Sequence, residues 1–151
     1  MKTISHNDPV VVSLVRAVRS GNVDALRRLL DETPGLASKR ATDNKGGSRT
    51  ALHVVTDWPG YFPNGPMIVK MLIEVGADPN ARTTGGQFSE TPLHRAASSD
   101  DVDVAAALID GGAEIEVLGG SIAGGTPLDR QCCGLWMFAR GSIVGRTWRT
   151  C

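Results

Sequence analysis

Two histidines, an adjacent cysteine pair, a glycine-rich run and a small aspartate cluster carry the side chains that could do chemistry. His53 and His94 each close the same tetrapeptide pattern, Thr50-Ala51-Leu52-His53 and Thr91-Pro92-Leu93-His94. His94 has no glutamate or second histidine at helical spacing, so neither a metal pair nor a base with its orienting group forms there. Cys132 and Cys133 are adjacent and lack the C-x-x-C spacing of zinc or redox sites. Gly119, Gly124, Gly125 and Thr126 nearly fit the phosphate-cradling pattern G-x-x-x-x-G-K-[ST]. Gly125, however, stands where the lysine belongs, and no buried strand precedes the run. Asp100, Asp101 and Asp103 are most simply helix-start charges that favour the helix dipole. No nucleophile–base pair assembles, so the chain is expected to be no enzyme and to hold no cofactor and no metal.

The elements that position these residues are clearest from Thr91 to Ala113. Thr91 is a good N-cap, and Pro92 suits a first helical position, where a missing N–H costs nothing. Leu93, Ala96 and Ala97 make one narrow apolar stripe, Ser98 to Asp101 break the pattern, and Val104, Ala107 and Leu108 make a second stripe. Gly111 and Gly112 can end the second helix in the left-handed conformation. Neither short helix can bury its stripe alone, so the unit needs neighbours.

Those neighbours recur along the chain. Openings fall at 50, 91 and 126, that is 41 and 35 residues apart, the last being Thr126-Pro127-Leu128-Asp129. Leu72 to Ala81 repeats the close, with Gly76-Ala77-Asp78-Pro79-Asn80-Ala81 at its end, and Leu14 to Leu30 is a more degenerate first copy turning at Gly21-Asn22. The pattern resembles the ankyrin repeat family, over roughly residues 10–129. The resemblance implies an all-α ankyrin-repeat solenoid of helix–turn–helix units with hairpin-like loops, three to four repeats long with the last incomplete. The repeats are expected at about 8–47, 48–88 and 89–123 with a partial copy from 124, making a domain of 1–129, followed by an atypical tail at 130–151. Thr50, Leu52, His53, Thr91, Pro92, Leu93, His94, Thr126, Pro127 and Leu128 are then the structural motif. In the family the histidine ring ties the start of its repeat together by hydrogen bonds. The family mostly binds other proteins and shares no common ligand.

Composition agrees. A length of 151 residues is one domain's worth, and 41% hydrophobic with 5% aromatic residues suits thin layers of Ala, Leu and Val. Sixteen basic and sixteen acidic residues cancel, giving no electrostatic footprint for nucleic acid or an anionic membrane. No apolar run reaches membrane-spanning length, and residues 1–6 lead into no signal-peptide core. Three cysteines without a framework favour a reducing compartment, hence the cytoplasm.

Along the chain, residues 1–7 read as a frayed lead, and Asp8-Pro9 starts the first helix, with Val11, Leu14, Val15 and Val18 inward. Leu26, Leu29 and Leu30 mark its partner helix, and Thr42 to Ser48 a hairpin finger. His53 to Gly76 spans 23 residues against 18 from His94 to Gly112, so the second unit carries an insertion, Asp57 to Pro66, with three prolines and two glycines. Its aromatics Trp58, Tyr61 and Phe62 form either a local mini-core or an exposed partner anchor. The mini-core is favoured, because three exposed aromatics on a monomer are a solubility liability. The fingers after Ala81 and from Glu116 to Gly125 are longer than the family pattern. The tail departs further: Gly141 and Gly145 interrupt a second helix, and Trp136, Met137, Phe138 and Trp148 follow no clean period. It reads either as a shifted frame or truncated gene, or as a genuine tail packing a tryptophan on the last repeat. Weak self-association through it is expected.

The function expected is non-catalytic binding of another protein through the concave face and fingers, with no nucleic acid or membrane partner. The alternative is a regulatory or inhibitor/immunity-type subunit of an enzyme. Candidate contact residues are Arg82, Thr84, Gln87 and Phe88 on the second finger, Arg95 on the next helix, and Trp58, Tyr61 and Phe62 of the insertion.

Overall fold

The computed structural model describes residues 3–85, 89–118 and 125–127. Three helix pairs dominate them: α1 (Pro9–Ser20) with α2 (Val23–Glu32), α3 (Ala51–Val55) with α4 (Gly65–Glu74), and α5 (Pro92–Ser98) with α6 (Val102–Asp110). Each pair begins as the sequence dictates. The Asp8 carboxylate accepts the Val10 N–H at 2.9 Å and Pro9 occupies the first helical position, which sets the start of α1. Gly21 ends α1 at φ +66°, and Asn22 caps α2 by accepting the Ala25 N–H at 2.9 Å. A Cβ on Gly21 would also overlap the Pro63 backbone, so no other residue fits this turn.

The pairs stack side by side. α1 packs on α3, α3 on α5, and α4 on α6. The core runs continuously through Val18 and Leu26, then Leu52, Ile68 and Leu72, then Val104 and Leu108, all at most 1% exposed. The two stripes expected between Thr91 and Ala113 are both buried, with Leu93 and Ala96 on α5 and Val104, Ala107 and Leu108 on α6. Every residue of α3 is buried, so that helix is the central layer. The first pair exits through Gly35 (φ +77°) and a single 3-10 turn, Leu36–Ser38, which buries Leu36 and Ala37.

Strand is short but present, and it corrects the expectation of a frayed lead. Strand β1 (Thr3–Ser5) pairs in parallel with β2 (Arg40–Thr42), Ile4 opposite Ala41, and β2 pairs antiparallel with β3 (Ser48–Arg49). Further bonds reinforce the parallel pair: the Thr42 hydroxyl donates to the Ile4 carbonyl at 3.2 Å, and the His6 backbone N–H donates to the Thr42 carbonyl at 2.9 Å. The lead is ordered because the finger offers it a free edge, a partner that local sequence cannot reveal. The finger itself is the expected hairpin, its turn closed by Asp43, whose Oδ1 accepts the Lys45 and Gly47 N–H groups, each at 2.8 Å.

The insertion also differs from expectation. Trp58 is 81% and Tyr61 63% exposed, and only Phe62 is half-buried, so no aromatic mini-core forms. Polar ties to both neighbouring turns hold the loop in its place. Asn64 donates to the Gly21 carbonyl at 2.9 Å on one side. On the other, the Tyr61 N–H donates to Asp101 Oδ2 at 2.6 Å, and the Tyr61 hydroxyl donates to the Asp100 carbonyl. These bonds hold Tyr61 and Asn64 at φ +56° and +57°, a region rare for residues with a Cβ. The Trp58–Pro59 peptide bond is cis. Leu128, the glycine run at 119–124 and the tail at 130–151 lie outside the described residues.

Candidate functional site

His53 and His94 build the same local device. His53 Nδ1 accepts the Thr50 N–H at 3.2 Å and lies 2.9 Å from the Thr50 hydroxyl, closing a capping box at the start of α3. With Nδ1 accepting, Nε2 carries the proton and donates to the Glu90 carbonyl of the next unit at 3.0 Å. His94 repeats this one unit on: Nδ1 accepts the Thr91 N–H at 3.2 Å, and Nε2 donates to the Gly125 carbonyl at 3.3 Å. Both rings are fully buried. Burial lowers His53 from 6.5 to about 4, and the nearby Arg95, Arg40 and Arg49 guanidiniums push the same way against the opposing Glu90 bond. His53 is therefore a neutral tie between units, and His94 makes the same set of bonds one unit on.

A dense polar cluster lies beside them, and of its members the sequence singles out Arg95 alone. Asp57, just past α3, meets three arginines. Its Oδ2 accepts from Arg49 at 2.8 Å and from Arg19 at 3.3 Å, and its Oδ1 accepts from Arg95 at 2.9 Å. Arg95 also reaches Glu90 Oε2 at 3.4 Å. Arg19 comes from the end of α1, Arg49 from β3 and Arg95 from α5, so one carboxylate joins three units. Arg19 precedes Asp57 by 38 residues and Arg95 follows it by 38. Opposite charges at one repeat's distance are the signal that could have found this cluster.

Beside the cluster runs a groove of about 720 Å³. Its walls are α1, the β2–β3 finger and the strand-like start of the second finger. Val12 and Val15 of α1 line one side, and Lys45, Gly47, Thr84 and Gly85 the other. The two fingers are joined. Ser48 and Thr84 exchange backbone bonds of 2.8 and 3.1 Å, and their hydroxyls lie 2.6 Å apart. A Cβ on Gly85 would collide with the backbone of Gly46 and Gly47, so glycine is required where the finger tips meet. Asp43 at the first tip is held below the usual carboxylate range by its two backbone N–H bonds.

Thr84 and Arg95 line the groove, whereas Gln87 and Phe88 lie outside the described residues. Arg82 is engaged within the chain: its guanidinium donates to the carbonyls of Ser89 at 3.3 Å and Leu118 at 2.6 Å. Its own carbonyl accepts from Arg40. Trp58 and Tyr61 stand out at the inter-helix turns. Among the described residues no three His, Cys, Asp or Glu side chains gather as a metal site, and no helix is long and apolar enough to cross a membrane.

No curated protein matches the chain. The family model for the Ankyrin repeat matches residues 48–84 and again 89–119. Those two spans hold the capping boxes of Thr50–His53 and Thr91–His94, and both buried helix pairs that follow them. With the motif, the burial and the inter-unit histidine bond all repeated, residues 48–84 and 89–119 are two successive ankyrin repeats.

Proposed function

We propose that the protein is a non-catalytic binding module, a short ankyrin solenoid whose partner protein lies across the fingers and the helix faces beside them. The observation that carries this reading is the groove beside the Asp57 cluster, where cations and valines stay open to the surface. The two ankyrin repeats support it at the coarser level, since such repeats are in general protein-interaction modules. The cytoplasm is the compartment we assign. Trp58 and Tyr61 extend the contact surface, because exposed aromatics held on a fixed loop are low-entropy anchors. Arg82 is a poor probe of binding, since removing it frees the Ser89 and Leu118 carbonyls as well.

Capture of partners with the full chain and mass spectrometry of what is retained tests the reading. One protein held through the groove is expected. Trp58→Ala and Phe88→Ala should each weaken its binding by more than about 1 kcal/mol, and Arg27→Ala and Arg28→Ala on α2 should not. Retention that survives the first pair and fails with the second would place the partner on the opposite surface. The regulatory or inhibitor reading is the alternative, and a single enzyme retained in stoichiometric amount and silenced on binding would establish it.

A further inference from the structure

We infer that the groove takes an acidic segment of the partner protein, with a carboxylate seated on Arg19 and Arg49. The inference rests on the reading of this face as a protein-binding surface. It begins with charge. Arg19, Lys39, Lys45, Arg49 and Arg95 line the groove, against two lining carboxylates, Asp43 and Glu90, and Asp57 behind the arginines. The chain as a whole carries formal charge +0, so this excess of cations is local to the groove.

The arginines are also pre-positioned. Asp57 is only 14% exposed and anchors all three from behind, while the side chains of Arg19 and Arg49 remain 50% and 39% exposed. Arg19 meets Asp57 through Nη2 and Arg49 meets it through Nη1, and the Arg49 side chain makes no other hydrogen bond among the described residues. A guanidinium has three nitrogens and five N–H donors, so each keeps a fork to offer a second carboxylate. Holding the side chain in place beforehand removes part of the ordering cost that a free surface arginine would bear. Between the arginines and the finger, Val12 is 43% exposed and Val15 is partly buried, so apolar residues flanking the acidic one have a wall to meet. A plain polyanion such as nucleic acid would make no use of that wall.

Selection of a displayed random-peptide library on the full chain tests this. The expected result is a several-fold enrichment of Asp and Glu in the retained peptides, with apolar residues beside them. Individual peptides should then lose about fivefold in affinity with each of Arg19→Gln and Arg49→Gln, and again between about 50 and about 300 mM salt. Lys39→Glu should weaken them similarly; it touches no ion pair among the described residues, so its fold is not at risk. Lys70→Gln on α4 should change nothing. Retained peptides without acidic enrichment, yet displaced by Val12→Asp, overturn the acidic inference and leave the protein-binding reading standing. Retention of no peptide at all overturns both. A single-stranded oligonucleotide bound as tightly as the best peptide, and lost with the same variants, also overturns it.

Discussion

Lowering the pH should loosen the protein through His53. The ring is fully buried, its Nδ1 is committed to accepting from Thr50, and its folded-state value lies at about 4 against an ordinary 6.5. As pH falls, the unfolded chain takes up this proton first. The stabilisation is therefore complete above about 6.5 and is lost progressively down to about 4. At about 1.4 kcal/mol per unit the full loss is about 3 kcal/mol, and about 2 kcal/mol is gone by pH 5. Urea unfolding at pH 7 and pH 5 measures it, with His53→Asn as the comparison. Asparagine can still accept the Thr50 N–H but cannot be protonated. The variant should be less stable at pH 7, by about 1–3 kcal/mol for the Glu90 carbonyl it leaves unmet, and should show about 2 kcal/mol less pH dependence. Parallel stability curves for the two proteins, or an NMR titration in which folded His53 protonates near 6.5, would refute the reasoning.

Core and network substitutions give three further expectations. Leu108→Ala and Leu93→Ala should each cost about 2–5 kcal/mol in urea unfolding, since both side chains are at most 3% exposed between stacked helices. Asp57→Ala should destabilise by about 1–3 kcal/mol because it leaves three guanidiniums facing one another. Arg19→Ala, half-exposed, should cost below about 1 kcal/mol, and equal costs for the two would mean the cluster is not cooperative. Asp101→Ala should cost about 1–3 kcal/mol by removing both the α6 cap and the acceptor of the Tyr61 N–H. Tyr61→Phe, which loses only the bond to Asp100, should cost less when thermal midpoints are compared.

The helices were legible because their signals are local. Thr91-Pro92 starts α5 and Asp8-Pro9 starts α1 by chemistry contained within four residues, and the stripes of Leu93 and Leu108 follow from spacing alone. The histidines were legible for a related reason: the repeated Thr-x-Leu-His pattern marks a cap rather than a catalytic base. The lead strand was not legible, because Thr3–Ser5 pairs with residues 40–42, and no local pattern names that partner. The insertion was misjudged on a similar ground. Burial of Trp58 and Tyr61 was expected because exposed aromatics are a solubility liability, yet the loop is held with both exposed, by Asn64 and by the Tyr61 bonds to Asp100 and Asp101, about 40 residues away in sequence. The Asp57 cluster needs the stacking offset before its arginines can be counted together.

That offset explains how polar residues share the work of joining thin units. Small apolar layers of Ala, Leu and Val bury little area each, so each boundary gains from directional bonds as well. The boundary between the first and second units carries Ser38 to the Gly76 carbonyl at 2.7 Å, Asn64 to Gly21, and Arg19 to Asp57. The next boundary carries His53 to Glu90, Arg95 to Asp57, and Asn80 to the Gly112 carbonyl at 3.0 Å. In a linear array stability is close to a sum of unit and nearest-neighbour terms, so weakening one boundary should uncouple the units on either side rather than soften all of them evenly. Asp57 is the exception by design of its position, because it belongs to both boundaries at once. The same carboxylate fixes the arginines that face the groove, so the residue that couples the units also shapes the surface they present to a partner.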